Sequence, residues 1–178
     1  AFQSYADARR CLDLLRESRE AVVIGAGLIG MRAAYALQAA GARVRVVELL
    51  PRVLARVLDE EASRLVERLL ARHGVELLLG RSVSRIVGSR GRATGVVLDD
   101  GRVIDAGIVI KATGVAPEVS LAKEAGIRTG TGILVNEFFQ TSFSDIFAAG
   151  DVAETHDIPR GRPAVNANWP NAHEQGRV

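Results

Sequence analysis

The sequence predicts an α/β fold in which a parallel sheet carries helices on one face and an inserted three-stranded antiparallel meander on the other. Short apolar runs alternate with helical patterns in the amino-terminal half, which is the order of a β-α-β-α-β unit. Three short strand patterns separated by glycine turns then interrupt the parallel strands. The apolar share of 48% is typical of a globular chain, and the net charge of +2, spread along the sequence, gives no case for nucleic acid binding.

The first predicted element is a helix over residues 5–18. Ser4 precedes it and is a favoured N-cap residue, because its hydroxyl can accept a hydrogen bond from the first turn. Apolar residues at helical spacing predict one buried face that packs beside the sheet. The predicted apolar stripe consists of Tyr5, Ala8, Leu12 and Leu15.

A glycine-rich turn follows the first apolar run, Ala21–Ile24. It has the pattern Gly25-x-Gly27-x-x-Gly30 and opens a helix from about Leu28 to Ala40. Gly25 permits a sharp turn off the strand, Gly27 leaves room for a close backbone approach, and Gly30 lets the helix pack near the sheet. The unpaired N–H groups and partial positive charge at the helix start attract phosphate. The predicted pyrophosphate site consists of Gly25, Gly27, Leu28, Ile29 and Gly30.

An acidic residue, Glu48, ends the second apolar strand. A carboxylate at that position can accept hydrogen bonds from the adenosine ribose hydroxyls of a dinucleotide. A glycine pattern alone also occurs in purely structural turns. Here a strand precedes it, a helix follows it and Glu48 ends the next strand, and this combination indicates dinucleotide binding on a Rossmann-like sheet.

The remaining elements of the sheet follow in order. A long helix over roughly Asp59 to His73 has apolar residues at three- and four-residue spacing, whereas its charged residues take the other face. The predicted apolar stripe of the long helix is Leu58, Ala62, Leu65, Val66, Leu69 and Leu70.

The strands follow this helix, and Asp100-Gly101 is a strong hairpin signal inside the meander. The predicted strands are 75–79, then 82–87, 93–98 and 102–105 for the meander, and 108–110, which ends at Ala112-Thr113-Gly114.

Further stretches carry a family resemblance. The Ala112-Thr113-Gly114 turn is followed shortly by Pro117, and a strand is predicted over residues 132–135. Residues 141–151 are TSFSDIFAAGD, which is a threonine, a short hydrophobic strand and a terminal Gly-Asp. Together with the glycine-rich unit and the meander, these residues resemble the pyridine nucleotide-disulfide oxidoreductase family and its second flavin fingerprint. Residues 169–177 are similar to the start of the family helix whose first turn faces the flavin pyrimidine ring.

The resemblance implies an organisation in two parts. Members of this family carry one nucleotide fold for FAD and one for NAD(P)H inserted into it, and this chain begins shortly before its only glycine fingerprint. We expect an NAD(P)H-binding domain over residues 1–140 and, over 141–178, the returning segment of an FAD-binding domain whose amino-terminal part is absent. The chain alone is expected not to retain FAD. Residues after about Val152, including Trp169, are expected to be poorly ordered, or to be held by a neighbouring copy of the chain, because they lack that packing surface.

For the intact parent, the resemblance implies an FAD-dependent NADH oxidoreductase. Nicotinamide would bind over Thr113 and Gly114, and Gly150 and Asp151 would face the ribityl chain of FAD. Hydride would pass from NADH to FAD, and the electrons would then pass to an acceptor that this segment does not encode. That acceptor could be an electron-acceptor protein. Nitrite-reductase-like, rubredoxin- or ferredoxin-reductase-like, NADH-oxidase-like and CoA-disulfide-reductase-like roles stay open. The sequence has no signal peptide pattern, which favours a cytoplasmic protein.

Two other functions are consistent with part of the sequence, an NADH-sensing or docking module and a simple dehydrogenase. An NADH-sensing or docking module would bind the cofactor without turnover, and the chain alone, without FAD, is itself expected to be inactive. A simple dehydrogenase would explain the glycine-rich unit, but it leaves the meander and Gly150-Asp151 without a reason.

Glu48 also bears on the choice between the two reduced cofactors. A 2′-phosphate near it would meet like charge at a cost of roughly 4 kcal/mol per unit charge, for a separation of ~4 Å and an effective dielectric constant of about 20. NADH is therefore expected to bind in preference to NADPH. Leu49 and Leu50 bring no cation, although Arg52 is near enough in sequence to oppose this expectation. Many relatives have a glutamate at the position of Arg32. Arg32 is either an exposed helix residue or creates a different electrostatic setting for nicotinamide or substrate.

No other chemistry is indicated. His73, His156 and His173 are too scattered for a metal site. Cys11 is the only cysteine, so the chain forms no internal disulfide. No nucleophile and base pair is apparent, and no catalytic side chain is predicted in this segment. No apolar run approaches the ~20 residues of a membrane span.

Overall fold

The computed structural model describes residues 4–178 as two compact units, one ending at Gly114 and one beginning at Val115. The first unit has the predicted β-α-β-α-β order, followed by the meander and a final parallel strand. Its elements are α1 (Tyr5–Leu14), β1 (Glu20–Ile24), α2 (Leu28–Ala39), β2 (Arg43–Glu48), α3 (Glu60–Arg72), β3 (Glu76–Leu79), β4 (Val83–Ser89), β5 (Arg92–Leu98), β6 (Val103–Asp105) and β7 (Ile108–Lys111).

A four-stranded parallel sheet in the order β3-β2-β1-β7 forms the centre of the first unit. In the register of β1, Ala21 lies opposite Val44 of β2 on one side and opposite Ile108 of β7 on the other. The meander is a separate antiparallel sheet in the order β4-β5-β6. Because the strands of the central sheet are parallel, the residues that follow β1, β2 and β7 meet at one edge.

The two faces of the parallel sheet bury different partners. In β1, Ala21 and Val23 pack with apolar residues of the helices, whereas Val22 packs with Val96 and Leu98 of the meander. Successive side chains of a strand point to opposite faces, and this alternation produces the division. The predicted fold class, with helices on one face of the sheet and the meander on the other, is confirmed.

Helix α1 begins as predicted and buries a different face. Ser4 caps it and forms a capping box with Asp7. The helix ends at Leu14, before the predicted end at residue 18, and the chain then turns, with the Ser18 N–H donating to the Leu14 carbonyl. The predicted stripe is wrong in part, because Tyr5 and Leu12 are 79% and 59% exposed. Leu15 is buried as predicted, and Cys11 and Leu14 pack on the core with it.

Cys11 lies partly buried on the inner face of α1. Burial raises the pKa of its thiol, and the negative charge of Asp7 acts in the same direction. Because the thiolate is the reactive form, we expect slow alkylation by iodoacetamide near pH 8 in the folded chain and fast alkylation in concentrated urea. Mass spectrometry over a time course measures both rates, and equal rates would contradict this prediction.

Helix α3 begins after Asp59, whose carboxylate accepts a hydrogen bond from the Ala62 N–H. Its predicted apolar stripe is also wrong in part, because Leu65 and Leu69 are 56% and 53% exposed. The fully buried side chain of this helix is a polar one, Ser63. The helix is rotated so that Ser63 faces the segment before it, while Val66 and Leu70 complete the contact with the core.

The second unit is smaller and has short elements. Strand β8 pairs with β9 in parallel, and β9 pairs with β10 in an antiparallel hairpin. A single 3-10 turn at Gly150–Val152 leads directly into β9. The other elements are α4 (Ser120–Glu124), β8 (Ile133–Leu134), β9 (Ala153–Asp157), β10 (Arg162–Ala164) and α5 (Trp169–Gln175). Within residues 4–178, no helix combines the length and the apolarity needed to cross a membrane.

Three sequence predictions fall in the second unit. The strand predicted over 132–135 is present as β8. The hydrophobic strand predicted before Gly150 is wrong, because that segment makes only an isolated bridge between Gln140 and Phe147 and has no neighbouring strand in the described chain. The residues after Val152 form β9, β10 and α5, which differs from the predicted poor order, whereas a neighbouring copy that holds the 77% exposed Trp169 stays a prediction.

Candidate dinucleotide site

Two glycines of the turn after β1 leave no room for a side chain. Gly25 has a φ of +104°, and a Cβ atom added there would lie 2.4 Å from the Ala112 carbonyl oxygen. A Cβ atom on Gly30 would lie 1.9 Å from the carbonyl oxygen of Gly25. The turn is therefore pressed between the start of α2 and the end of β7, and both positions require glycine for reasons internal to the fold.

Gly27 differs from its two neighbours in this turn. An added Cβ atom would meet nothing within 4 Å, and its φ of −77° is open to any residue. Neither packing nor backbone conformation therefore accounts for a glycine here. A missing side chain at this point keeps the surface clear for an object outside the chain, which is the role predicted for the central glycine of a pyrophosphate turn.

Helix α2 begins at the same place. Gly27 is its N-cap and supplies no side-chain cap. The first intrahelical bond runs from the Met31 N–H to the Gly27 carbonyl at 2.9 Å. The amides of Leu28, Ile29 and Gly30 precede that bond and have no helical carbonyl to donate to, which is the arrangement that binds anions. The side chains of Leu28 and Ile29 are 61% and 54% exposed beside it.

Each carboxylate oxygen of Glu48, at the end of β2, accepts a hydrogen bond from a backbone N–H. Its Oε2 accepts a hydrogen bond from the Ala26 N–H at 2.6 Å, and its Oε1 accepts one from the Leu50 N–H at 2.8 Å. The carboxylate thus holds the glycine turn to the end of β2. Each carboxylate oxygen has a second lone pair, so both can still accept a hydrogen bond from a ribose hydroxyl.

Arg52 is folded back onto its own segment. Its Nη2 donates to the Ala55 carbonyl at 3.0 Å and lies 3.5 Å from the Leu58 carbonyl. Its Nε is buried and has no hydrogen-bond partner among residues 4–178. The cation that the sequence places near Glu48 is therefore engaged in holding residues 51–58 together.

Thr113 and Gly114 follow β7 at the same edge of the sheet. The Ala112 N–H donates to the Ile24 carbonyl at 2.8 Å, which carries the pairing of β7 and β1 up to the glycine turn. Thr113 and Gly114 are exposed, and Gly114 has a φ of +99° with open space where a Cβ atom would be. The structure thus brings the glycine turn, Glu48 and the Thr113-Gly114 turn to the carboxyl edge of one parallel sheet.

The two candidate flavin residues lie in the second unit. Gly150 has a φ of +82°, and its N–H donates to the Oε1 atom of Gln175 at 2.7 Å. Asp151 is exposed and lines a cavity of about 210 Å³ together with residues 115–118 and Val152. Its carboxylate therefore faces open space, where it could accept a hydrogen bond from a ligand hydroxyl.

The site also contains residues that the sequence did not single out. Leu54 has a φ of +51°, and its N–H donates to the Ala26 carbonyl at 2.9 Å, which ties residues 51–58 to the glycine turn. Ser63 anchors the same segment to α3. A serine inside the apolar stripe of a helix is the signal that could have identified this anchor.

Two further points from the sequence concern Arg32 and metal binding. Arg32 is exposed on α2. Within residues 4–178, no group of histidine, cysteine and acidic side chains could hold a metal ion.

Comparisons with known proteins agree with this geometry. The family described as pyridine nucleotide-disulphide oxidoreductase matches residues 1–176. The NADH oxidase of Methanocaldococcus jannaschii is 38% identical over 175 residues, which cover 97% of this chain and 39% of that protein. The rubredoxin-NAD(+) reductase of Pseudomonas putida is 38% identical over 176 residues, which cover 99% of this chain and 46% of that protein.

A solved structure shows the same fold. The NAD-dependent persulfide reductase from A. fulgidus matches with a TM-score of 0.93 and 34% identity, covering 99% of this chain and 33% of that one. The chain therefore spans less than half the length of these relatives.

Proposed function

Because the chain belongs to the pyridine nucleotide-disulphide oxidoreductase family, we propose that it binds NADH at the carboxyl edge of its parallel sheet. The observation that carries this proposal is Gly27, a glycine that neither packing nor backbone conformation requires. It lies at the start of α2, where unpaired amides favour a pyrophosphate. Gly25 and Gly30 give the turn its shape, and the amides of Leu28 and Ile29 complete the phosphate site.

The adenosine end of NADH is assigned to Glu48. Its carboxylate is fixed by the amides of Ala26 and Leu50, so it meets the ribose hydroxyls without first having to be ordered. The same negative charge opposes a 2′-phosphate, and Arg52 donates instead to carbonyls of its own segment. These two features support NADH over NADPH.

The nicotinamide end is assigned to the exposed Thr113-Gly114 turn. Proteins of this family combine a pyridine nucleotide with FAD, and the flavin, when bound, accepts the hydride. The part of this chain is to hold NADH in one orientation, with the pyrophosphate and ribose contacts fixing where nicotinamide lies. Gly150 and Asp151 are the residues proposed to contact FAD, since an exposed carboxylate is suited to a ribityl hydroxyl.

For the parent protein, we assign residues 1–140 to an NAD(P)H-binding domain and residues 141–178 to an FAD-binding domain that other residues complete. The parent is then an FAD-dependent NADH oxidoreductase. Its acceptor is not determined by this segment, because relatives of equal similarity carry names as different as NADH oxidase and rubredoxin-NAD(+) reductase. The segment alone is expected to bind NADH without oxidising it.

Binding is tested on the chain as it stands. We expect NADH fluorescence to change saturably on titration with the protein, with a Kd below about 1 mM. ADP-ribose should compete, because it retains the pyrophosphate and the adenosine ribose, whereas nicotinamide mononucleotide should compete poorly. Absence of saturable binding up to several millimolar would refute the proposal.

The intact protein allows a second test, in which NADH is added to the FAD-bound form without oxygen. If the flavin absorbance is not bleached, the result favours binding without turnover.

A further inference from the structure

One peptide group connects helix α3 with the glycine turn. It joins Val53 to Leu54 in the segment 51–58, which we term the bridging segment. Its carbonyl, from Val53, accepts a hydrogen bond from Ser63 Oγ at 2.9 Å. Its N–H, from Leu54, donates to the Ala26 carbonyl at 2.9 Å. A hydroxyl on α3 and a carbonyl of the turn are thus joined through a single planar unit.

The α3 end of this connection is sealed from solvent. Ser63 and Val53 both have 0% exposure, so water cannot replace either partner of the bond. Serine in a helix interior is less favourable than alanine, because its hydroxyl competes for backbone partners. The hydroxyl of Ser63 is therefore accounted for by its bond to the bridging segment.

Leu54 holds the peptide in an unusual orientation. Its φ of +51° lies in the left-handed region, which a branched apolar residue rarely adopts. Such a conformation persists only when the surroundings impose it. Here the Ser63 bond lies on one side, the Ala26 bond lies on the other, and the Leu54 side chain packs against the apolar core.

The orientation carries through to Gly27. In a trans peptide the carbonyl and the N–H point in opposite directions, so fixing the Ala26 carbonyl also fixes the Gly27 N–H. The preceding peptide is fixed separately, because its Ala26 N–H donates to Glu48 Oε2. Both peptides that meet at Ala26 are therefore held from outside the turn, one by Glu48 and one by the bridging segment.

We propose that Ser63 is a positioning residue for dinucleotide binding, which acts through the Val53–Leu54 peptide to orient the Gly27 N–H toward the pyrophosphate. The inference rests on the proposed NADH binding. Ser63 itself lies within α3 and is fully buried, so its effect on the cofactor is indirect. Loss of its hydroxyl frees the Val53 carbonyl and, through Leu54, lets the turn take more than one orientation.

Ser63→Ala tests the proposal, with Ser84→Ala as the matched control. Ser84 Oγ also donates to backbone carbonyls, those of Val97 at 3.0 Å and Leu98 at 3.2 Å, but it is exposed and lies in the meander. Both variants lose a hydroxyl that donates to the backbone, so both should lower the melting temperature, and Ser84→Ala should lower it less because Ser84 is exposed and water can replace its hydroxyl. Only Ser63→Ala should shift the Gly27 amide resonance of the ¹⁵N-labelled free protein and raise the Kd for NADH by about fivefold or more.

Each outcome decides the question. A folded Ser63→Ala with an unchanged Gly27 resonance and an unchanged Kd would overturn the proposal, as would equal effects from Ser84→Ala. If Ser63→Ala does not fold, Ser63→Cys replaces it, since a thiol is a weaker donor of similar shape. A Gly27 resonance shifted from its wild-type position together with a raised Kd for NADH then supports the proposal, and wild-type values of both overturn it. A wild-type chain that fails to bind NADH while Ser63→Ala still moves the Gly27 resonance would refute the proposed function and support the link from Ser63 to Gly27.

Discussion

Gly30→Ala is expected to destabilise the first unit by about 3 kcal/mol, with loss of NADH binding. The added Cβ atom would lie 1.9 Å from the Gly25 carbonyl oxygen, which is backbone and cannot rotate away. Gly25 is itself held, because its N–H donates to the Val47 carbonyl at 2.8 Å. The clash must therefore push α2 off the sheet. Urea unfolding followed by circular dichroism measures the loss of stability.

Gly27→Ala separates the two effects of that prediction. Its Cβ atom meets open space and its φ suits alanine, so the free energy of unfolding should change by less than about 1 kcal/mol. The same methyl group would occupy the path of the pyrophosphate, and NADH affinity should fall at least about tenfold. A Gly27→Ala protein that binds NADH like the wild type would remove the main support for the dinucleotide site.

The parts of the fold that follow from the sequence are those with local causes. The alternation of Ala21 and Val23 with Val22 is a property of any strand with two covered faces, so the layered architecture could be predicted. Gly25 is required by its φ of +104° and Gly30 by its contact with the nearby Gly25 carbonyl, although Gly25 also lies against the distant Ala112 carbonyl. For these elements the chain near the residue determines the structure.

Helix faces could be predicted less well. Helical spacing marks neighbouring stripes that differ by a small rotation, and tertiary contacts select one of them. On α1 the sheet selects Cys11 and Leu14 over Tyr5 and Leu12. On α3 the selected face directs Ser63 to the Val53 carbonyl and Leu70 to the core. Leu65 and Leu69 are therefore left exposed.

The candidate site shows the same limit. The residues that supply it could be read from the glycine pattern and the acid, but the bonds that hold it could not. The hydrogen bond between the Ala26 N–H and Glu48 could not be predicted from the sequence. The two residues are far apart in the chain and come together only when β1 and β2 pair. Arg52 is near enough to Glu48 in sequence to oppose the preference for NADH, but its actual partner, the Ala55 carbonyl, depends on a segment without regular structure.

Glu48→Gln is expected to weaken NADH binding and to raise the ratio of NADPH to NADH affinity by at least about tenfold. The amide has one acceptor oxygen in place of two, so it cannot serve both the Ala26 and the Leu50 N–H groups, and the grip on ribose loosens. Removal of the negative charge also removes a repulsion of roughly 4 kcal/mol per unit charge at about 4 Å from a 2′-phosphate. Parallel titrations with the two reduced cofactors measure the ratio.

Glu76→Gln is the matched control for this change of charge. Glu76 begins β3, is exposed and pairs with Arg45 at 2.9 Å, at the edge of the sheet opposite the glycine turn. Glu76→Gln alters the net charge of the chain by the same amount as Glu48→Gln. Any effect of net charge alone on affinity for the extra phosphate of NADPH therefore appears in both variants. If the two variants change the NADPH to NADH ratio equally, Glu48 does not select the cofactor. A change confined to Glu48→Gln instead assigns the selection to one carboxylate, held in place by the turn that it helps to shape.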